Sequence, residues 1–188
     1  MSTLKELTKE KHIEAESQPF IQALFKKSVN KYDYAEYLFQ LHLIYYTLES
    51  LGDFLELFKD IEEIKRAPSI RKDFIELIGS NHTKKIGLVK PSTSNYIRYI
   101  NTLSYKEDSK KIMAHIYVRH MGDLYGGQSL KKLVPGSGKM FDFNNPLGLI
   151  TSMRNRLSID MADEANLAFQ YNINIIKEFN GKYLDFIN

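Results

Sequence analysis

The stretch 117–133, YVRHMGDLYGGQSLKKL, decides how this chain is read. Both flanks have helical periodicity, yet Gly122, Gly126 and Gly127 fall inside the segment. A glycine in a helix interior costs about 0.5–1 kcal/mol relative to alanine, so three of them need a reason. Gly122 and Gly126 are four residues apart and share a face. A face without side chains lets a flat object or a second helix approach the backbone, and it permits a kink. Asp123, a poor helix former, stands beside that face. Either it holds a water or polar network near whatever fills the gap, or it faces solvent beside a tight helix contact. The residues alone leave both readings open.

Outward from this stretch the dominant period stays helical. Tyr37, Leu38, Leu41, Ile44, Tyr45, Leu48, Leu51 and Leu55 recur in three- and four-residue steps and predict one long helix over about 31–59. A first helix is expected over about 3–16. Pro19 and Pro68 are placed to open two more, the second ending at Gly79. Residues 80–94 read as a loop, with helix resuming near Asn95. The glycine-bearing helix is expected over about 109–133, followed by a loop at 134–146. Two further helices follow, over LGLITSMRNRL and DEANLAFQYNINIIKEFNGKYLDF. The expectation is a single all-α domain, residues 1–188, of about eight helices.

Composition narrows the function. The 26 basic and 23 acidic residues leave a net charge of +3, and the basic residues cluster no further than pairs such as Lys26-Lys27. That argues against a nucleic-acid binder. The absence of cysteine removes disulfides and thiolate metal sites. No run of about 18 apolar residues is available to span a membrane, and the N-terminus lacks an apolar signal region. A soluble, cytoplasmic protein is expected. The chain contains no Glu-x-x-His pair, His-Glu-x-x-His motif, phosphate-binding Gly-x-x-x-x-Gly-Lys loop or Gly-x-Ser-x-Gly elbow.

Five histidines remain: His12, His42, His82, His115 and His120. Their spacing builds no multi-histidine site, but one histidine suffices for a metal that arrives with its own equatorial ligands. His12 and Glu16 are four apart and share a helix face. The pair is either an ordinary surface pair or a ligand with the partner that orients it. His42 is expected toward the core, His82 in solvent, and His115 without a recognisable partner. The tyrosine-rich segment YDYAEYLFQLHLIYY reads as packing.

Three segments, HIEAE, YVRHMGDLYGGQSLKKL and DEANLAFQYNINIIKEF, together resemble the haem oxygenase family in its soluble bacterial, cyanobacterial and plastid form. They occur in the family's order with compatible spacing. The resemblance implies a helical fold that clamps haem, both cofactor and substrate, between an N-terminal proximal helix and a kinked, glycine-rich distal helix. It implies that His12 is the axial iron ligand and Glu16 its hydrogen-bond partner. Gly122 and Gly126 match the glycines that let the distal backbone lie on the porphyrin. Asp123 matches the distal aspartate that orders water, and Arg119 an arginine of the same polar network. Lys5, Lys9 and Tyr117 fall where the family places propionate-side groups, and Phe169 and Asn172 line the inner pocket.

The implied reaction is oxidative cleavage of haem to biliverdin with release of CO and Fe²⁺. The chain has no flavin or nicotinamide fingerprint, so electrons must come from a partner, commonly ferredoxin in this branch. The mild positive charge is compatible with an acidic donor. A non-catalytic haem-binding or storage protein of the same fold is the alternative. Three departures stand out. Tyr125 replaces the usual serine, and His120 stands where tyrosine is frequent. Leu147 and Thr151 occupy positions where a lysine and an arginine usually pin the propionates; Arg154 and Arg156, in the following turn, are the candidates to substitute.

Overall fold

A computed structural model describes residues 3–79, 88–103 and 106–186. Among them the regular structure is entirely helical. Nine α-helices occur: α1 (Leu4–Leu7), α2 (Lys9–Glu16), α3 (Pro19–Phe25), α4 (Lys31–Phe54), α5 (Ala67–Ile78), α6 (Pro91–Thr102), α7 (Ser109–Leu130), α8 (Pro146–Arg154) and α9 (Ala162–Lys177). Short 3₁₀ turns join several of them.

Local chemistry sets most boundaries. A capping box between Thr3 and Glu6 opens α1, where each satisfies the other's backbone N–H. The expected first helix is then broken at Thr8, whose hydroxyl donates to the Leu4 carbonyl at 3.0 Å. This break is why nine helices are found rather than eight. Asn30 caps α4 by accepting from the N–H groups of Tyr32 and Asp33. Prolines open α3, α5, α6 and α8, and Gly79, with φ of 79°, closes α5.

Three boundaries move well away from their expected places, and the largest change is at the C-terminal end, where α9 stops at Lys177 and the rest of the expected helix is two 3₁₀ turns, Asn180–Lys182 and Leu184–Phe186. The helix α4 ends at Phe54, because the chain turns back and lays the Phe58 ring on Gly52. A Cβ at Gly52 would lie 2.4 Å from that ring. Helix α6 begins at Pro91 rather than near Asn95, so the end of the expected loop is helical. His82 and most of that loop lie outside the described residues.

One core joins the helices, with Phe20, Leu38, Ile44, Leu48, Ile100, Ile112, Ile116 and Ile173 fully buried. Helix α9 packs against both α2 and α7, which have no substantial interface with each other. Lys11 of α2 donates to Gln170 of α9 at 2.7 Å, and Asn166 of α9 donates to the Leu7 carbonyl at 3.2 Å. Helix α4 backs α7 from the other side. No helix of the described residues is long and apolar enough to cross a membrane.

Candidate functional site

Helical pairing continues through all three glycines of α7, but they have different surroundings. A Cβ built on Gly122 meets nothing within 4 Å, and one on Gly126 meets only the Leu130 side chain at 3.4 Å. A Cβ on Gly127 would come within 3.1 Å of the Phe141 ring. Gly127 is therefore constrained by the protein's own packing. Gly122 is not, since it faces open space.

The side chains beside this bare strip are polar and buried. Asp123 is 8% exposed and Arg119 is 5% exposed. The Tyr45 hydroxyl, from α4, donates to Asp123 Oδ2 at 2.7 Å and lies 3.3 Å from the Arg119 carbonyl. Burial pushes the Asp123 carboxyl up to about 6, against the pull of the Tyr45 hydrogen bond and of nearby cationic groups. Arg119 Nη1 donates to Asn172 Oδ1 at 2.7 Å, while its buried Nε and Nη2 have no hydrogen-bond partner. The guanidinium instead packs over the buried Tyr96 ring, 5.3 Å from its centroid.

On α2, the His12 ring stands edge-on to Phe169 of α9, with centroids 5.8 Å apart. Glu16 Oε1 is 3.7 Å from His12 Nε2, an ion-pair separation longer than a hydrogen bond. The His12 side chain is 51% exposed, which leaves the ring accessible. Phe169 and Asn172 are three residues apart on α9 and share a face. One touches His12 and the other holds Arg119. A single face of α9 thus bridges the imidazole wall and the glycine wall.

Lys5 and Lys9 are exposed on α1 and α2, and Tyr117 is half-buried on α7. No hydrogen bond or ion pair among the described residues joins these three side chains to the residues above. Arg156 is committed elsewhere, donating to the carbonyls of Leu57 (3.3 Å) and Lys59 (2.5 Å). Arg154 stands over the exposed Tyr125 ring, 5.6 Å from its centroid.

Behind the site lie contacts that the sequence did not announce. Tyr45, expected as packing, is the partner of Asp123. His115, expected without a partner, is fully buried between the Tyr96 hydroxyl (2.7 Å from Nδ1) and Glu164 (2.8 Å from Nε2). Burial pushes its pKa down despite the carboxylate. Tyr96 lies under the Arg119 guanidinium, 5.3 Å from ring centroid to Cζ, and stacks on Tyr171. His120 packs on Tyr45 at 4.9 Å and reaches Glu49 at 3.1 Å. Glu49 in turn accepts from the backbone N–H groups of Arg66 and Ala67, at the start of α5. His42 is half-buried with Nδ1 3.1 Å from the Ala67 carbonyl.

Fold and site together define an all-α protein in which one helix, α9, packs against both a histidine-bearing helix and a helix of bare backbone with a buried acid and a buried arginine. Residues 1–144 match the family model described as Heme oxygenase, and the chain belongs to that family. It is 30% identical over 209 residues to heme oxygenase 2 of Macaca fascicularis, an alignment spanning 94% of this chain and 64% of that protein. It is 28% identical over 214 residues to heme oxygenase of Pyropia yezoensis, covering 98% of this chain and 87% of that one. The fold matches the crystal structure of heme oxygenase-1 from the cyanobacterium Synechocystis in complex with heme. The TM-score is 0.82 at 24% identity, over 97% of this chain and 92% of that one.

Proposed function

We propose that this chain is a haem oxygenase, cleaving haem to biliverdin with release of CO and Fe²⁺, and that the cleft between α2 and α7 is where haem binds. The open space at Gly122, next to buried Asp123, carries this reading. The residues present fit the group: a bare strip for a flat macrocycle, an accessible imidazole to hold its iron, and a buried acid and arginine beside the strip. Haem, when bound, supplies both the iron that takes up O₂ and the ring that is opened.

The protein's own residues have separable tasks. His12 would hold the iron through one ring nitrogen, with Glu16 accepting from the other to fix tautomer and orientation. Gly122 and Gly126 allow the backbone of α7 to lie against the macrocycle, and Phe169 packs beside the imidazole. Asp123, with a carboxyl at about 6, exchanges protons near neutral pH. Tyr45 of α4 holds one oxygen of the Asp123 carboxylate, and Asn172 of α9 holds the Arg119 guanidinium, so both groups are fixed on α7 beside the glycine face. Lys5, Lys9 and Tyr117 are assigned to the propionate side. Electrons come from an external donor, for which we propose a ferredoxin, supported by the chain's net positive charge.

The test is aerobic turnover of the hemin complex with ascorbate or with a ferredoxin and its reductase. Loss of the Soret band with appearance of biliverdin absorbance is expected. A stable Soret band under both reductants would assign the cleft to haem binding without turnover.

A further inference from the structure

His120 is fully buried on α7, and both of its ring nitrogens face oxygen atoms. Nδ1 lies 3.1 Å from the Ile116 carbonyl, one turn back on the same helix, and Nε2 lies 3.1 Å from Glu49 Oε1. A carbonyl has no proton to give. Glu49 uses its oxygens as acceptors, taking the backbone N–H groups of Arg66 at 2.5 Å and Ala67 at 3.1 Å, so it too presents lone pairs to the ring. A neutral imidazole has one N–H and would leave a nitrogen lone pair against one of these oxygens; the imidazolium donates to both. Among the described residues Glu49 forms no other ion pair. The nearby Arg66 turns its guanidinium onto the carbonyls of Glu63, Ile64, Lys65 and Asp142 instead. The buried ring and the buried carboxylate are thus each other's counter-charge.

That charge is placed to act on Asp123. The two residues are three apart on α7 and share a face. Tyr45 of α4 touches both: its ring packs on the imidazole with centroids 4.9 Å apart, and its hydroxyl donates to Asp123 Oδ2 at 2.7 Å. The titratable groups around the pair are Tyr34, Tyr37, Tyr45 and Glu49 of α4, Arg66 at the start of α5, and Arg119 of α7. Burial pushes the Asp123 carboxyl up to about 6, and the Tyr45 hydrogen bond, then the charge of His120, then Arg119 and Arg66 oppose that rise. With His120 fully buried, its charge is little screened by solvent ions.

Resting on the haem reading above for what Asp123 does, we propose that His120, held as an imidazolium by Glu49, is the positioning residue that keeps Asp123 able to release its proton near neutral pH. A tyrosine, frequent at this position, could satisfy Glu49 through its hydroxyl but would bring no charge. The histidine puts a cation where a neutral donor is usual, and so links the Glu49 anchor at the start of α5 to the acid beside the glycine face.

The experiment is a pH titration of the apo-protein by NMR, with ¹⁵N-labelled histidine rings and ¹³C-labelled aspartate carboxyls. At pH 7 both His120 ring nitrogens are expected to carry slowly exchanging protons, and the Asp123 carboxyl to titrate with a midpoint of about 6. His120→Gln and His120→Tyr each keep a donor toward Glu49 and remove the charge. In either variant the Asp123 midpoint should rise by roughly one pH unit, and the pH profile of biliverdin formation should rise with it. A merely structural histidine would lower stability and leave that midpoint in place. An unprotonated ring nitrogen on His120 at pH 7 overturns the proposal, and so does an unmoved Asp123 midpoint in a folded variant. Should neither variant fold, the wild-type ring spectrum decides alone. Apo-protein that titrates as expected but forms no biliverdin with hemin overturns the haem oxygenase reading and leaves the coupling of His120 to Asp123 in place.

Discussion

The Tyr45 hydroxyl donates a 2.7 Å hydrogen bond to Asp123 Oδ2, tying the middle of α4 to the glycine face of α7. Burial raises the Asp123 carboxyl and this bond is the largest influence lowering it again. Tyr45→Phe is therefore expected to move the Asp123 pKa above its present value of about 6. The pH dependence of biliverdin formation should shift upward, with kcat reduced about 3- to 10-fold at neutral pH. Hemin affinity should hold. A pH profile superimposable on that of wild type would remove Tyr45 from the proton-handling group.

Asp123 also makes stability depend on pH. Its folded pKa, about 6, lies above the ordinary value of 3.8. The folded state thus favours the protonated acid, so its contribution is greatest below pH 4 and is lost as pH rises through 6. At pH 8 the buried carboxylate costs up to about 3 kcal/mol. Asp123→Asn removes the charge, so urea unfolding should find it more stable than wild type at pH 8, with the gap narrowing toward pH 4. Its biliverdin yield should nevertheless fall. A gap that does not change with pH would contradict the burial argument.

Alanine at two neighbouring glycines separates packing from ligand contact. Gly122→Ala meets open space and gains helix propensity, so the apo-protein should be more stable by about 0.5–1 kcal/mol. Hemin affinity should fall about tenfold or more, because the methyl group stands where the macrocycle lies. Gly127→Ala presses on the Phe141 ring and should lower apo-protein stability by about 1–2 kcal/mol. Thermal melts and hemin titrations of the two variants distinguish these outcomes. Equal effects of both on both readouts would mean that the Gly122 face is not the ligand face.

Glu49 is a structural carboxylate behind the site. It is 5% exposed and accepts from two backbone N–H groups at the start of α5 and from His120. Its negative charge also complements the N-terminal end of that helix. Glu49→Ala is expected to cost about 3–5 kcal/mol, because it leaves several buried donors unpaired. Chemical denaturation measures this directly, and a loss below about 1 kcal/mol would contradict the buried-anchor role.

What the sequence conveys here depends on whether its signal is local. The prolines at positions 19 and 68 predict the starts of α3 and α5, and Gly79 the end of α5, because each acts through its own backbone. Pro91 carries the same signal, but the polar run around it reads as loop and hides the start of α6. The end of α4 depends on Phe58 folding onto Gly52, a contact that periodicity does not encode. The glycine face of α7 and the His12–Glu16 pair are visible as spacings. Tyr45 and Asp123 are 78 residues apart, and His115 and Glu164 are 49 apart, so only the packing of α4 and α9 on α7 brings them together.

The central claim is that haem sits between α2 and α7 with His12 on its iron. Its most direct test is a hemin titration of the apo-protein beside His12→Ala, followed by absorbance and electron paramagnetic resonance. One equivalent of hemin should saturate the wild type with a histidine-ligated spectrum, and His12→Ala should lose that signature until free imidazole restores it. Absence of a stoichiometric complex, or an unchanged spectrum in His12→Ala, would contradict the claim.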